Sequence, residues 1–291
     1  MKTYIAGFLL LLLLLTGCSA QLKPSADIAA TTGPVAQFAE AVTAGSGLVV
    51  SQVIRDNVSC LHDYTLSVRQ MEVLEAADVV IISGAGLEEM MQDVLSEKNI
   101  VDCSEQVALL EADTHEVHDD HGHDHHHEHD PHTWLDPLRA VSMVQTLTEG
   151  LCRQYPQHEP LFRTNAEALV QRLEALDAYA SDSLQNLSCR KLITFHDGFS
   201  YLADRYDLDI LASMEEEAGS EASARDLTSI VHLIDSHQLP AVFTEVNGSP
   251  SAASIVCRET GCRSFALDMA LGGSDYFEAM TANIDALKEA L

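Results

Sequence analysis

One long segment without glycine, running from Glu159 to Leu187, dominates the sequence. Its apolar residues recur at three- and four-residue steps, as one face of an α-helix requires. They are Leu161, Leu169, Leu173, Leu176, Ala180, Leu184 and Leu187. Pro160 falls in the first turn, where its missing N–H costs nothing. A helix of about thirty residues is about 45 Å long, which exceeds the width of one small domain. We therefore expect it to join two lobes. The alternative is a coiled-coil helix for oligomerisation, but the apolar face covers too few heptads to favour it.

Strand-like segments alternate with helical segments on both sides of this helix, which is typical of parallel βαβ units. The predicted strands cover residues 28–32, 48–54, 77–83, 100–102, 191–195, 208–211, 240–245 and 263–267. The expected fold is α/β, with two parallel-sheet lobes joined by one long backbone helix and a site between them. The predicted division is a leader at 1–17, an N-terminal lobe at 18–158, the helix at 159–188 and a C-terminal lobe at 189–291. A dinucleotide fingerprint is excluded at Gly84-Ala85-Gly86, because Glu89 occupies the third glycine position, and we expect a helix to start at Leu87. Two of the helices predicted in the second lobe cover residues 251–260 and 276–290.

The first seventeen residues have the form of an export signal. Lys2 provides the positive charge, and the apolar stretch from Phe8 to Leu15 is too short to span a bilayer comfortably. Leu15-Thr16-Gly17-Cys18 resembles a bacterial lipobox, in which Cys18 is lipidated and becomes the first residue. An ordinary signal peptide with an incidental cysteine is the alternative. We expect an exported protein, lipid-anchored in the periplasm or on the outer face of the cell membrane.

A segment rich in histidine and acid lies at residues 113–131, where eight residues are His and seven are Asp or Glu. Such a segment has little to bury, so we expect a solvated loop. Imidazoles suit zinc, copper and nickel, and the loop would capture metal near a structured site. An acidic insertion without a transport role is the alternative. The formal net charge of −29 argues against nucleic acid as a partner and favours cations.

Six cysteines remain when Cys18 is set aside, and an even number in an exported chain suggests disulfides. They are Cys60, Cys103, Cys152, Cys189, Cys257 and Cys262. Six cysteines allow fifteen connectivities, among which we favour Cys60 with Cys103 and Cys257 with Cys262. Several buried free thiols are the alternative.

Four candidate metal ligands fall where parallel α/β sheets place their ligands, beyond the carboxyl ends of the strands. They are His62, His132, His196 and Asp268, two from each lobe. Three imidazoles and one carboxylate would form a tetrahedral zinc site in the cleft. Taken singly, a histidine at a strand end is more often a hydrogen-bonded structural residue, and an aspartate there is often a helix cap. His158, His232 and His237 lie on predicted helices or their ends, and we expect them to face solvent.

These residues together resemble the zinc-specific substrate-binding lipoproteins of bacterial ABC importers, the ZnuA-like cluster. The matching stretches are LHDYTLSV, ADVVIISGAGLEEMM, DPHTWLDP, TFHDGFSYLADRYDL, FTEVNGS, ALDMA and YFEAMTANIDAL. The resemblance implies one metal between two lobes, bound by His62, His132 and His196 with Asp268 or water as the fourth ligand. It also implies a monomer that binds Zn²⁺ and delivers it to an ABC permease, and no enzymatic activity.

Two positions bear on how closely the chain follows that family. Leu61 stands where relatives often have Pro before the first ligand. His196 stands where manganese-carrying relatives tend to have Glu, which favours zinc, although nickel and copper also suit nitrogen and oxygen ligands.

Other functions remain alternatives on sequence alone. An exported zinc hydrolase would need an open coordination position and a general base, but the chain has neither an HExxH pattern nor a GxSxG elbow. A manganese-type binding protein or an adhesin of the same family is the other alternative, and no residue pattern identifies a host ligand.

Overall fold

The structure is a computed structural model that describes residues 26–55, 64–111, 129–214 and 223–291. The predicted leader, the lipidation site Cys18 and the candidate ligand His62 lie outside the described residues, as do Cys60 and residues 112–128 of the His-rich loop.

The N-terminal lobe contains a four-stranded parallel sheet in the order β2-β1-β3-β4. Its described elements are β1 (Ile28–Ala30), α1 (Gly33–Thr43), β2 (Val50–Gln52), α2 (Val68–Ala76), β3 (Val79–Ile82), α3 (Gln92–Leu95) and β4 (Ile100–Asp102). The continuous apolar run in β3 fits a strand covered on both faces. Strand β1 lies between β2 and β3, so the loops after these strands meet at one edge of the sheet.

The C-terminal lobe repeats this arrangement with the strand order β6-β5-β7-β8, again parallel throughout. Its elements are β5 (Lys191–Thr194), α6 (Ser200–Arg205), β6 (Asp209–Ser213), α7 (Ala224–His237), β7 (Ala241–Glu245), α8 (Ser251–Thr260), β8 (Arg263–Leu267) and α9 (Tyr276–Ala290). The α/β prediction with two parallel-sheet lobes is confirmed.

Two antiparallel helices connect the lobes, α4 (Pro137–Gln154) and α5 (Glu159–Leu184). Helix α5 has 26 residues, or about 39 Å, and packs against α4, α1 of the first lobe and α9 of the second. It ends four residues before the predicted limit of 188, and beyond its end the backbone N–H groups of Ser188 and Cys189 donate to the carbonyl of Leu291. The helix is therefore packed along both lobes and is not an isolated strut.

The loop after β3 departs from the sequence prediction that a helix starts at Leu87. A turn follows Gly84, a 3-10 turn covers Glu89–Met91, and α3 begins only at Gln92. The buried carboxylate of Glu88 folds back to accept hydrogen bonds from the N–H groups of Ser83 and Gly84 and from the Thr31 hydroxyl. These bonds, of which the one from Thr31 spans 57 residues, fix a loop where local propensity alone predicts a helix.

The two lobes share one hydrophobic core that includes the fully buried Trp134. The Trp134 indole donates to the carbonyl of Met269 at 2.8 Å, and the Tyr276 hydroxyl donates to the Trp134 carbonyl at 2.7 Å. These bonds tie the first lobe to the second beside the cleft.

Within the described ranges, no helix has both the length and the hydropathy needed to cross a bilayer.

Candidate metal centre

Two of the predicted ligands, His132 and His196, face each other across the boundary between the lobes. Their ring centroids are 6.0 Å apart and the rings are inclined by 81°. His132 is buried, and the His196 side chain is 13% exposed. One imidazole comes from each lobe, so a single ion bound by both would bridge the lobes.

The orientation of His132 is fixed by Asp130, two residues earlier. Oδ1 of Asp130 accepts from the backbone N–H of His132 at 2.8 Å and lies 2.9 Å from its Nδ1. This contact assigns the proton to Nδ1 and leaves the Nε2 lone pair available to a metal. Burial alone would raise the pKa of Asp130, but attraction to the His132 ring in its protonated form and hydrogen bonds from His132 and Ser200 hold that pKa below its usual value. The pair has the form of the carboxylate–histidine arrangements that support metal ligands.

The described residues next to the His-rich loop form hydrogen bonds with Asp130 and with each other. Glu111 and His129 form an antiparallel bridge, and the Asp130 N–H donates to the Leu110 carbonyl. The Tyr201 hydroxyl, from the second lobe, donates to the Asp130 carbonyl and accepts from the Leu110 N–H. Glu111 and His129, the described residues on either side of the range 112–128, therefore pair a few residues before His132.

Gly198 allows the loop after β5 to approach the His132 ring. A Cβ at this position would lie 3.2 Å from both Nδ1 and Cε1 of His132 and 2.4 Å from Cε of Met269. A side chain at position 198 would therefore displace the Met269 methyl group and press against the His132 ring.

One histidine and two acidic residues lie at the carboxyl ends of three neighbouring strands in the second sheet. His196 follows β5, Glu245 ends β7, and Asp268 follows β8. Glu245 is buried, and its Oε1 lies 3.9 Å from Nε2 of His196. The sequence predicted Glu245 as the end of a strand and not as a candidate ligand. Its position at the carboxyl end of a parallel strand, where ligands of such sheets bind, could have indicated it.

Asp268 is held within its own loop. Its Oδ1 accepts from the Ala270 N–H at 2.8 Å, and its Oδ2 accepts from the Ser274 hydroxyl at 2.6 Å. The Asn283 side chain pairs with both backbone polar groups of Asp268. The carboxylate is therefore pre-oriented, and it anchors the loop that contacts the first lobe through the Leu271 carbonyl and the Gly33 N–H.

The described residues alone contain no group of three His, Cys, Asp or Glu side chains placed to hold one ion. What they supply is a pair of facing imidazoles with Asp130 behind one ring and Glu245 beside the other. The predicted third imidazole, His62, lies in the range 56–63, outside the described residues.

Two parallel α/β lobes, a helix packed along both, and facing imidazoles between them define a two-lobed binding protein with a candidate metal cleft. The chain belongs to the family described as ZnuA, zinc-uptake complex component A periplasmic, whose model matches residues 28–290.

Individual relatives agree with this membership. The chain is 28% identical to the zinc-binding lipoprotein AdcA of Streptococcus pneumoniae over 95% of its length, but it spans only 58% of that longer protein. A crystal structure of ZnuA is 25% identical with a TM-score of 0.78, covering 91% of this chain and 99% of the other. The Zn(II)-bound ZnuA-like domain of Streptococcus pneumoniae AdcA is 24% identical with a TM-score of 0.77, covering 91% and 98%, and supports the fold.

Proposed function

We propose that this chain is an extracytoplasmic zinc-binding protein that captures Zn²⁺ and delivers it to an ABC permease for import. The observation that carries the proposal is the facing pair His132 and His196, one from each lobe, with Asp130 fixing the first ring. Family membership and the name of the streptococcal relative support zinc as the cargo.

The proposed ligands are His62, His132, His196 and Asp268. Neutral imidazoles with one carboxylate match the tetrahedral nitrogen and oxygen preference of zinc. Glu245 adds a buried carboxylate next to His196, which favours a divalent cation over an anion or a neutral ligand.

The proposal includes export and anchoring. Residues 1–17 would be removed and Cys18 lipidated, leaving an N-terminal lobe to residue 158, a connecting helix at 159–188 and a C-terminal lobe at 189–291. The family description, which includes the word periplasmic, supports an extracytoplasmic location. The protein would act as a monomer and meet the permease in the cytoplasmic membrane.

The family is one of metal uptake and not of enzymes. We infer that the cleft binds and releases its ion without chemistry on a second substrate. Esterase and peptidase assays of the zinc-loaded protein test this, and activity that depends on zinc and on His196 would contradict it.

Metal analysis of the purified chain tests the proposal as a whole. We expect one tightly bound zinc per chain, which persists when residues 114–129 of the His-rich loop are deleted. His132→Ala and His196→Ala should each weaken zinc binding by more than the roughly 10–100-fold typical of an outer-shell partner. His232→Ala, at an exposed position on α7, is the matched control and should leave affinity unchanged. If deleting the loop alone abolished tight zinc binding, the tight site would lie in the loop and not in the cleft, and the proposal would be overturned.

A further inference from the structure

Two cysteines outside the metal site lie side by side at one end of the second lobe. Cys257 is in the last turn of α8 and Cys262 immediately precedes β8. Their Sγ atoms are 3.2 Å apart, and both residues are half-buried against the apolar cluster of that lobe. Both are free thiols in the structure.

The backbone between them forms a fixed turn that does not depend on the sulfurs. Gly261 has a φ of +78° in the left-handed region, and its N–H donates to the Cys257 carbonyl at 2.9 Å. This is a helix C-terminal turn for which glycine is the favoured residue. The Thr260 hydroxyl donates to the Val256 carbonyl and accepts from the Cys262 N–H. The turn therefore folds Cys262 back over the end of the helix and positions both side chains.

We propose that Cys257 and Cys262 are joined by a disulfide in the exported protein, an inference that rests on the proposed extracytoplasmic location. A disulfide requires an S–S distance of about 2.05 Å. Closing the observed gap needs about 1.2 Å of movement, shared between two side chains on a turn that is already formed.

The step is a thiol–disulfide exchange with an oxidant that carries a disulfide, such as oxidised glutathione or a thiol oxidoreductase. One cysteine loses its proton and attacks the oxidant, giving a mixed disulfide and releasing one sulfur of the oxidant as a thiol. The second cysteine loses its proton and displaces the other sulfur. The protein gives up two electrons and two protons, and the oxidant leaves as two thiols.

Burial is the main cause that raises the pKa of Cys257 to about 12, followed by its hydrogen bond and charge interaction with Cys262. A thiol with such a pKa forms little thiolate near neutral pH and reacts slowly. The bond therefore forms most readily while the chain folds, before the pair is buried.

The disulfide would have two effects on metal binding by the chain. It would tie α8 to β8, the edge strand that leads to Asp268. It would also remove a closely spaced dithiol, which is a soft-donor site able to compete for zinc or copper. A zinc carrier with its only high-affinity site in the cleft is consistent with this pair being oxidised.

Tryptic digestion gives a direct test, because Arg258 and Arg263 place a cleavage site between the two cysteines and another after the second. The full-length exported protein is alkylated under denaturing, non-reducing conditions and digested. We expect the peptide ending at Arg258 and the peptide Glu259–Arg263 to appear as one linked mass that separates on reduction. Cys189, a half-buried free thiol whose Sγ donates to the Lys191 carbonyl, should be alkylated and serves as the internal control.

Two further measurements separate this inference from the proposed function. The purified chain equilibrated in a glutathione redox buffer should form the same linked pair, whatever its cellular location. The oxidised chain should melt about 3–6 °C above Cys257→Ser/Cys262→Ser, and reduction should abolish the difference. Separately alkylated peptides in both the exported and the equilibrated protein would overturn the proposal. So would a second bound zinc that requires both thiols.

Discussion

The ring of His132 lies against the carboxylate of Asp130, with Nδ1 and Oδ1 2.9 Å apart and both residues buried. Only Pro131 separates the two residues, so the chain itself brings the carboxylate to the imidazole. The contact places the proton on Nδ1 and leaves Nε2, the other ring nitrogen, available to a metal. We infer that Asp130 is a positioning residue that acts through His132.

Asp130→Asn should weaken zinc binding by about 10–100-fold, since the neutral amide supports the ring less well than the carboxylate. Zinc titration against a competing chelator measures the affinity. Nitrogen-15 NMR of the metal-free protein should show His132 protonated at Nδ1 in the wild type, with that preference lost in the variant. Asp204→Asn removes an exposed partner of Arg139 and should change neither result. An unchanged tautomer with unchanged affinity would count against the assigned role.

Glu245→Gln should weaken zinc binding by about 10-fold or more, because it removes a buried negative charge 3.9 Å from Nε2 of His196. The metal-free variant should be at least as stable as the wild type, since burying a charged carboxylate costs more desolvation free energy than burying a neutral amide of similar shape. Affinity and urea unfolding are measured on the same samples. Glu289→Gln, at an exposed residue near Arg263, is the control. Equal affinity in the variant and the wild type would exclude Glu245 from the site.

Tyr276→Phe should lower the free energy of unfolding by about 1–2 kcal/mol, because the Trp134 carbonyl loses a buried hydroxyl donor at 2.7 Å. Chemical denaturation of the metal-free protein provides the measurement. Tyr179→Phe removes a hydroxyl from an exposed residue on α5 and should cost less. Similar losses in the two variants would mean that the contact between the lobes does not contribute more than a surface hydrogen bond.

Glu88 should make the stability of the first lobe depend on pH. Burial is the main cause that raises the pKa of Glu88 from 4.5 to about 7 in the folded protein, against three hydrogen bonds that lower it. The folded state thus binds this proton more tightly than the unfolded chain. The contribution is fully present below about pH 4.5 and is lost as pH rises through about 7, by roughly 3 kcal/mol at most.

Glu88→Gln removes this titration. Unfolding free energies at pH 5 and pH 8 should therefore differ less in the variant than in the wild type, once the fixed cost of the substitution is subtracted. Because all other groups titrate in both proteins, the double difference isolates Glu88. The same pH difference in both proteins would show that Glu88 binds its proton equally in the folded and unfolded states.

Local patterns predicted much of the fold. Helices α8 and α9 and strands β4 and β8 begin and end where the sequence predicted, because apolar periodicity and flanking Gly, Pro and Asp residues define their limits. The loop after β3 was predicted wrongly. Its conformation depends on Glu88 reaching back to Thr31, a contact across 57 residues that no local pattern encodes.

The candidate site depends on such long-range contacts as well. The strand-end rule proposed His196 and Asp268 as ligands, and the structure places the His196 ring near that of His132, while the binding of a metal by these residues stays a prediction. Glu245 was missed because a glutamate that ends an apolar strand looks like any polar strand terminus until the neighbouring strand is known. The role of Asp268 as a ligand stays a prediction, since its carboxylate also anchors its own loop.

Zinc binding between the lobes is tested by an anomalous difference map, recorded at the zinc absorption edge from crystals of the chain loaded with one equivalent of Zn²⁺. We expect one dominant peak between the lobes, about 2.0–2.1 Å from Nε2 of His132 and from a ring nitrogen of His196, with His62 completing the set of imidazoles. A dominant peak away from His132 and His196, with no zinc between their two rings, would show that the ion does not bind between the lobes.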